Sequence, residues 1–385
     1  MNIETPRREP PLGSWATLAA VCFTGFVSAA ILIVQPLMVG ALIDGFRLSA
    51  AQAGLVAGAE MAGLAVAGLL IGTVGSSWNR RKAIAAGATL GVLGSLVPAI
   101  AHGYGVILTL RFVAGIGAGL IASSVLAMLG ATRDPDRIFG IYFVALYAAA
   151  SAFFPLASFV VAHYGAAGGY ALLTAALATA WITGRLVPDS ESKARGAGSA
   201  PKAPFPLFAA AISLGLSTAF WVGDGAVWAF IQRLGLSSGA STSEITAVLT
   251  VSQLAFIGGA AVASALHTRF GRAAPTLAAI VLTAASAAMV GGTHGLVIYG
   301  LGVFSFCFAW VLFLTYLNGT MAAQDPAGRI VALGVTSQTV GMAIGPAVAG
   351  SVVNGFGYAA VMPTALVCYA VAIVLLLVLA TRRKA

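Results

Sequence analysis

Charge is what this chain has least of. Of its 385 residues only 8% are Asp, Glu, Lys or Arg, against roughly a quarter in a soluble domain. With 59% hydrophobic residues and a mean hydropathy of +0.98, it has too little polar surface to cover itself in water. An ordinary soluble domain is excluded. Acidic residues are scarcer than basic ones, 11 against 20, for a net charge of +9. The bases stand in short clusters between apolar runs, not in a phosphate-tracking patch, so no nucleic-acid partner is expected. The three cysteines, Cys22, Cys307 and Cys368, lie inside apolar stretches without metal spacing, which argues against a disulfide framework or a metal site. No G-x-x-x-x-G-K-[ST] phosphate loop occurs, so no nucleotide cofactor is expected. The four histidines, His102, His163, His267 and His294, fall at the ends of apolar runs and read as solvated boundary residues. An intramembrane enzyme would need a nucleophile–base pair or a ligand cluster at one depth, and the sequence offers neither.

What the chain does have is long apolar runs. A spanning helix needs about 20 mostly apolar residues, and that ruler marks twelve. They cover residues 15–42, 53–77, 83–102, 105–130, 139–163 and 168–187, then 206–232, 243–267, 274–293, 296–321, 330–354 and 359–380. The first run, preceded by Arg7 and Arg8, is too long for a cleaved signal segment. The 47 glycines suit helices that approach one another closely in lipid. Breaks between runs carry turn residues, such as Asp44-Gly45 and Asp134-Pro135. The longest break, from Pro188 to Pro206, is rich in Ser, Gly, Pro and Lys and reads as a flexible connector. The expected organisation is a cytoplasmic tail (1–14), a six-helix bundle (15–187), a cytoplasmic linker (188–205), a second six-helix bundle (206–380) and a short cytoplasmic tail (381–385).

Orientation follows from Lys and Arg. With the N-terminus inside, 17 of the 20 basic residues face the cytoplasm. Arg47 and Arg233 fall outside, and Arg111 lies within a span. The opposite orientation would invert the positive-inside rule. Both termini are therefore expected in the cytoplasm, with the chain in the cell (inner or plasma) membrane. The halves also look related. The Asp-Pro pairs starting at Asp134 and Asp325 are 191 residues apart, and the Arg-Ile pairs starting at Arg137 and Arg329 are 192 apart. The loops SSWNRRK and TRFGRAA, from Ser76 and Thr268, also align at an offset of 192.

Charged groups at membrane depth are costly and mark functional candidates by default. Glu60, Arg111 and Asp224 all fall roughly 9–12 Å below the outer surface by helical rise. The carboxylates read as proton-coupling candidates, since burial disfavours their ionised form. Arg111 could hold an anionic substrate or pair with Glu60, and a fixed Glu60–Arg111 pair tying two helices together is the structural alternative. In the seventh run Trp221, Asp224, Trp228 and Gln232 are spaced for one helical face. Such a face suits stacking with a flat solute or cation–π contact with a positive one, or simply packing near the interface. Phe306, Trp310 and Phe313 repeat the theme in the tenth run, with Asn318 a little over one turn beyond. Gln35, Tyr147, Gln253 and Gln338 are further candidates to line a cavity, although interhelical hydrogen bonds consume such residues too.

The loop after the second run offers Gly72, Ser76, Ser77, Asn79, Arg80 and Arg81; the matching loop of the second half offers Ser264, Thr268, Arg269, Gly271 and Arg272. The fourth run carries Arg111 followed by Gly115, Gly117 and Gly119, and the eleventh carries Gly341, Gly345, Pro346 and Gly350. On these residues the chain resembles the major facilitator superfamily over nearly its whole length. The family's loop aspartate is replaced by Ser76 and Thr268. Its antiporter signature in the fifth helix is also absent, since Ala150 and Phe154 stand where glycines would beside Pro155. The resemblance implies alternating access by two rocking halves, with Gly72, Arg80, Arg81, Arg269, Gly271 and Arg272 in conformational-gate loops. The expected protein is thus a monomeric secondary transporter, not an enzyme, with no cofactor. It would move a small aromatic or apolar organic solute, coupled to protons, in an undetermined direction. A proton-driven multidrug efflux antiporter is the alternative reading; an intramembrane enzyme or a transporter-like receptor is more remote.

Overall fold

The computed structural model describes residues 14–73, 79–96, 103–132, 135–188, 205–292, 295–325 and 329–382. Outside these lie most of the tails and connector, as do Ser76, Ser77, His102, Arg133 and His294. The described chain is built from helices, with one isolated bridge between Arg269 and Gly271. The helices before the connector are α1 (Trp15–Ile33), α2 (Gln35–Gly45), α3 (Ala50–Thr73), α4 (Arg80–Ser95), α5 (Tyr104–Gly130) and α6 (Pro135–Thr183). After it come α7 (Leu207–Ser237), α8 (Thr242–Leu266), α9 (Ala273–Gly291), α10 (Leu296–Gln324), α11 (Arg329–Phe356) and α12 (Val361–Arg382).

Among the described residues, ten helical segments are long and apolar enough to cross a membrane. Four of the expected spans differ in form. The run 15–42 is not one helix: Val34 leaves helical geometry (φ −93°, ψ 8°) and Pro36 opens α2. The runs 139–163 and 168–187 form one 49-residue element hinged at Gly165 (φ 63°, ψ −160°). Residues on either side of that hinge come back into contact, Gly169 with Val161 and Gly168 with Val160, so α6 doubles back and supplies two passes. Only glycine adopts that backbone without strain. The run 83–102 contributes the 16 residues of α4, and its last residues lie outside the described set.

In lipid the helices cannot be driven together by apolar burial, so close packing and interhelical hydrogen bonds must hold them. α3 shows how. It packs on α5 of its own half and on α11 of the other. A side chain at Gly115 of α5 would strike the Glu60 carbonyl, and one at Gly54 of α3 would strike the Pro346 carbonyl of α11. Backbones meet there directly. The halves also touch where α2 meets α7 and where α6 meets α8. Arg80, Arg81, Lys82, Arg185, Arg269, Arg272 and Arg329 mark one end of the bundle, the basic end. The contacts between halves gather at mid-depth and at the opposite end.

At the basic end Asp325 caps α11. Its carboxylate accepts from the backbone N–H of Arg329 (2.8 Å) and Ile330 (3.3 Å) and from the Arg329 guanidinium at 3.0 and 2.9 Å. These hydrogen bonds, from the Arg329 side chain first, hold the carboxyl at about 2, below its ordinary 3.8. A depressed native value stabilises the fold above the ordinary range and is lost as pH falls through the native value. Asp325→Asn is expected to lower the melting temperature at neutral pH. The gap to the unmodified protein should close between pH 4 and about 2, as read by a thermal melt in detergent.

Candidate functional site

The three membrane-depth charges separate into a pair and a single carboxyl. Glu60 of α3 pairs with Arg111 of α5, and both are buried. Apart from its Nε, which has no hydrogen-bond partner among the described residues, the rest of the guanidinium is engaged by the same half of the chain. It donates to Ser95 Oγ at 3.1 Å and to the Gly94 carbonyl at 3.5 Å, and it stands 4.8 Å from the Tyr170 ring. Four elements, α3, α4, α5 and α6, thus converge on Arg111. The buried ion pair foreseen as the structural alternative exists, and it is internal to the first half.

Asp224 of α7 is fully buried in the second half. Tyr369 of α12 donates its hydroxyl to one carboxylate oxygen at 2.9 Å, while the other oxygen has no partner among the described residues. No salt bridge reaches Asp224 among the described residues. The expected acidic-aromatic face is therefore divided. Trp221 and Trp228 turn to α10, Asp224 turns to α12, and Gln232 approaches Gly40 of α2.

The aromatic residues form one cluster. Trp310 sits 4.8 Å from Trp221, 6.1 Å from Trp228, 6.1 Å from Phe306 and 5.8 Å from Phe256, each ring edge-on. These are favourable T-shaped contacts. Phe256 of α8 stacks on Tyr147 of α6 at 4.4 Å with planes 7° apart, which carries the cluster across to the first half. Phe313 stacks on Phe220 at 3.5 Å on its other flank. Three polar atoms in this mid-depth layer stand out. The Trp221 indole N–H and both amide atoms of Gln35 are buried without a hydrogen-bond partner among the described residues. Buried polar groups in folded proteins are nearly always satisfied, so each of these calls for a partner of some kind. Gln253, by contrast, bonds its own helix at the Leu249 carbonyl (3.4 Å). Asn318 and Gln338 are half-buried nearer the basic end.

Three inter-half ties escaped the sequence reading, one of them between the Ser158 hydroxyl of α6 and the Thr246 hydroxyl of α8 at 2.8 Å. Pro36 has no amide hydrogen to give the Leu32 carbonyl four residues earlier, and Trp228 of α7 donates its indole N–H to that carbonyl at 2.8 Å. Farther from the basic end, Arg233 of α7 binds the Gly40 carbonyl (2.6 Å) and the Asp44 carboxylate (2.6 Å) of α2. A proline inside an apolar run, and one of two cations outside the basic end, were the available signals. Of the gate-loop residues, Gly72 is in the last turn of α3 and Arg80 is buried at the start of α4. Arg81 is exposed there. Arg269 and Gly271 share the isolated bridge, with Gly271 at φ 68°, and Arg272 packs near Gly319 of α10. The described histidines, His163 and His267, are exposed.

A multi-pass bundle of apolar helices, with polar groups buried where its two halves meet, has the form of a membrane carrier. The sequence model of the Major Facilitator Superfamily matches residues 17–346, and the chain belongs to that family. Membership places it among transporters, not enzymes. No curated protein sequence matches it. Two crystal structures of the nucleoside transporter NupG are similar in fold, each at 14% sequence identity. A point mutant superposes with a TM-score of 0.77, covering 95% of this chain and 99% of that one. The second has a TM-score of 0.72, with 96% and 99% covered.

Removing one member of a buried ion pair costs about 3–5 kcal/mol, because the other is left uncompensated. Arg111→Met is expected to destabilise the detergent-solubilised protein by about that amount. The double variant Glu60→Gln/Arg111→Met should recover most of the loss, as measured by denaturant or thermal unfolding.

Proposed function

We propose that the chain is a secondary active transporter that moves a small aromatic or otherwise apolar organic solute, coupled to protons, by alternating access. On this reading residues 15–187 and 206–380 are two six-helix bundles joined by a cytoplasmic linker. Both termini face the cytoplasm, and the basic end is the cytoplasmic end of a monomer in the cell membrane. The observation that carries the reading is the aromatic cluster shared by both halves, together with the unpartnered Gln35 amide and Trp221 indole N–H. Trp310 and its neighbours would sandwich a flat solute, and the free amide and indole would hydrogen-bond to it. Tyr147, Gln232, Gln253, Phe306 and Phe313 flank that site, with Asn318 and Gln338 on the path from the cytoplasmic end.

Asp224 takes the coupling role. It has a hydroxyl donor on one oxygen and no cation in contact among the described residues, an arrangement that suits a carboxyl carrying a proton. Glu60 and Arg111, already committed to each other, hold the first bundle together. On this reading the Trp228–Leu32 and Arg233–Asp44 ties belong to a state closed toward the outer side. Rocking to the opposite state requires both to break.

Nucleosides are the first solutes to test, since their bases are flat and carry both donors and acceptors. The two NupG structures, alike in fold, point to the same choice. In sealed liposomes with an imposed pH gradient, the purified protein is expected to move labelled nucleosides or other neutral aromatic solutes against their gradients. Movement of aromatic cations alone would replace this reading with the efflux antiporter. Asp224→Asn is expected to abolish proton-driven accumulation while preserving solute exchange in the absence of a pH gradient. Wild-type accumulation in that variant would remove Asp224 from the coupling role.

A further inference from the structure

The first half carries a cleft that the transport reading leaves unused. It lies at the basic end, on the flank of the bundle where the start of α4 meets the end of α6, and has a volume of about 270 Å³. Its charged wall is Arg81 and Lys82 from α4 and Arg185 from the turn that follows α6; Trp181 completes it. Among the described residues no carboxylate lines it. Its floor is small: Ala85 and Ala180 carry only methyl side chains, and a side chain at Gly184 would press on Ile84. Two of the walls are tied in place. The Arg81 Nε–H donates to the Val187 carbonyl at 2.7 Å, which leaves the two terminal amino groups of its fork as donors. The Trp181 indole N–H donates to Thr89 Oγ at 3.2 Å, across from α6 to α4.

We propose that this cleft binds the phosphate headgroup of an anionic phospholipid. Topology alone accounts for cations at this end of the bundle. It does not account for three of them meeting a tethered tryptophan around one cleft. The start of α4 adds a second reason. Arg80, Arg81 and Lys82 crowd its first turn with no acidic residue among them, against the positive end of the helix dipole. An anion seated there relieves that repulsion, and its oxygens suit the bidentate Arg fork. The lipid, not free phosphate, is favoured by what borders the cleft. Ile182 at the end of α6 and Leu186 in the turn that follows are 68% and 58% exposed, an apolar surface for acyl chains below the headgroup. Trp181, 40% exposed, sits where tryptophan favours the headgroup layer. A basic pocket between helices at a membrane boundary is a recognised way to hold such a headgroup.

The full-length protein in neutral detergent tests this by thermal shift and by native mass spectrometry. The added ligand is phosphatidylglycerol, phosphatidylcholine or inorganic phosphate at equal concentration. Phosphatidylglycerol is expected to raise the melting temperature and to be retained as a bound adduct; the other two are not. Lys82→Gln, an exposed change that keeps the fold, should weaken the phosphatidylglycerol effect roughly fivefold. Adding Arg81→Gln and Arg185→Gln should weaken it by roughly fivefold for each further charge. Arg269→Gln/Arg272→Gln, at the matching loop of the other half, should leave it unchanged. An equal response to phosphatidylcholine, or a full phosphatidylglycerol shift in the Lys82→Gln variant and the triple variant, overturns the proposal. A phosphate-only response makes the cleft an ion site and overturns the lipid.

Discussion

The close approach of α3 to two neighbours is the constraint on which the rest depends. Lipid chains are as apolar as leucine side chains, so helices in a bilayer gain little by hiding apolar surface from one another. What holds α3 is backbone-level contact, through Gly115 toward α5 on one side and through Gly54 toward α11 on the other. The first contact brings Glu60 beside Arg111. The second brings the two halves of the chain within reach of each other. A helix fixed on both sides in this way links the internal order of one half to its position against the other.

The first span is organised around a different requirement. Every backbone group at membrane depth must find a partner inside the protein. Pro36 removes one partner from the Leu32 carbonyl, and Trp228 restores it from the opposite half. The same tryptophan stands edge-on to Trp310, so the tie between halves and the aromatic cluster share a residue. A change in how the halves meet must therefore be felt among the rings, and a solute among the rings bears on how the halves meet.

The architecture was largely legible in the sequence because apolar length is a one-dimensional signal. Runs of about 20 residues announced the helices. Depth was legible too: counting residues from the span ends put Glu60 and Arg111 at one level, and the structure pairs them. Rotation was not legible. In a soluble helix the polar face points outward and fixes the rotation, but here lipid-facing and buried faces are both apolar. Nothing in the spacing of Trp221, Asp224 and Trp228 could say that the carboxyl turns to Tyr369 while the indoles turn to Trp310. The ties of Arg233 to Asp44 and of Trp228 to a main-chain carbonyl were hidden for the same reason, since a carbonyl left free by proline has no side-chain signature. The cleft at Arg81 and Arg185 joins residues about a hundred positions apart, and local pattern does not reach that far.

The break at Pro36 carries a consequence for solvent. Had residue 36 been anything but proline, a straight helix could have satisfied Leu32 on its own, and the halves could part while that level stayed dry. With proline there, the carbonyl that loses Trp228 has no amide four residues on to return to. Water is the partner that can follow the departing indole. On the proposed alternating-access reading, separation of the two halves at this end and wetting of the first span are then a single event: the passage would open as a hydrated crevice and close by drying.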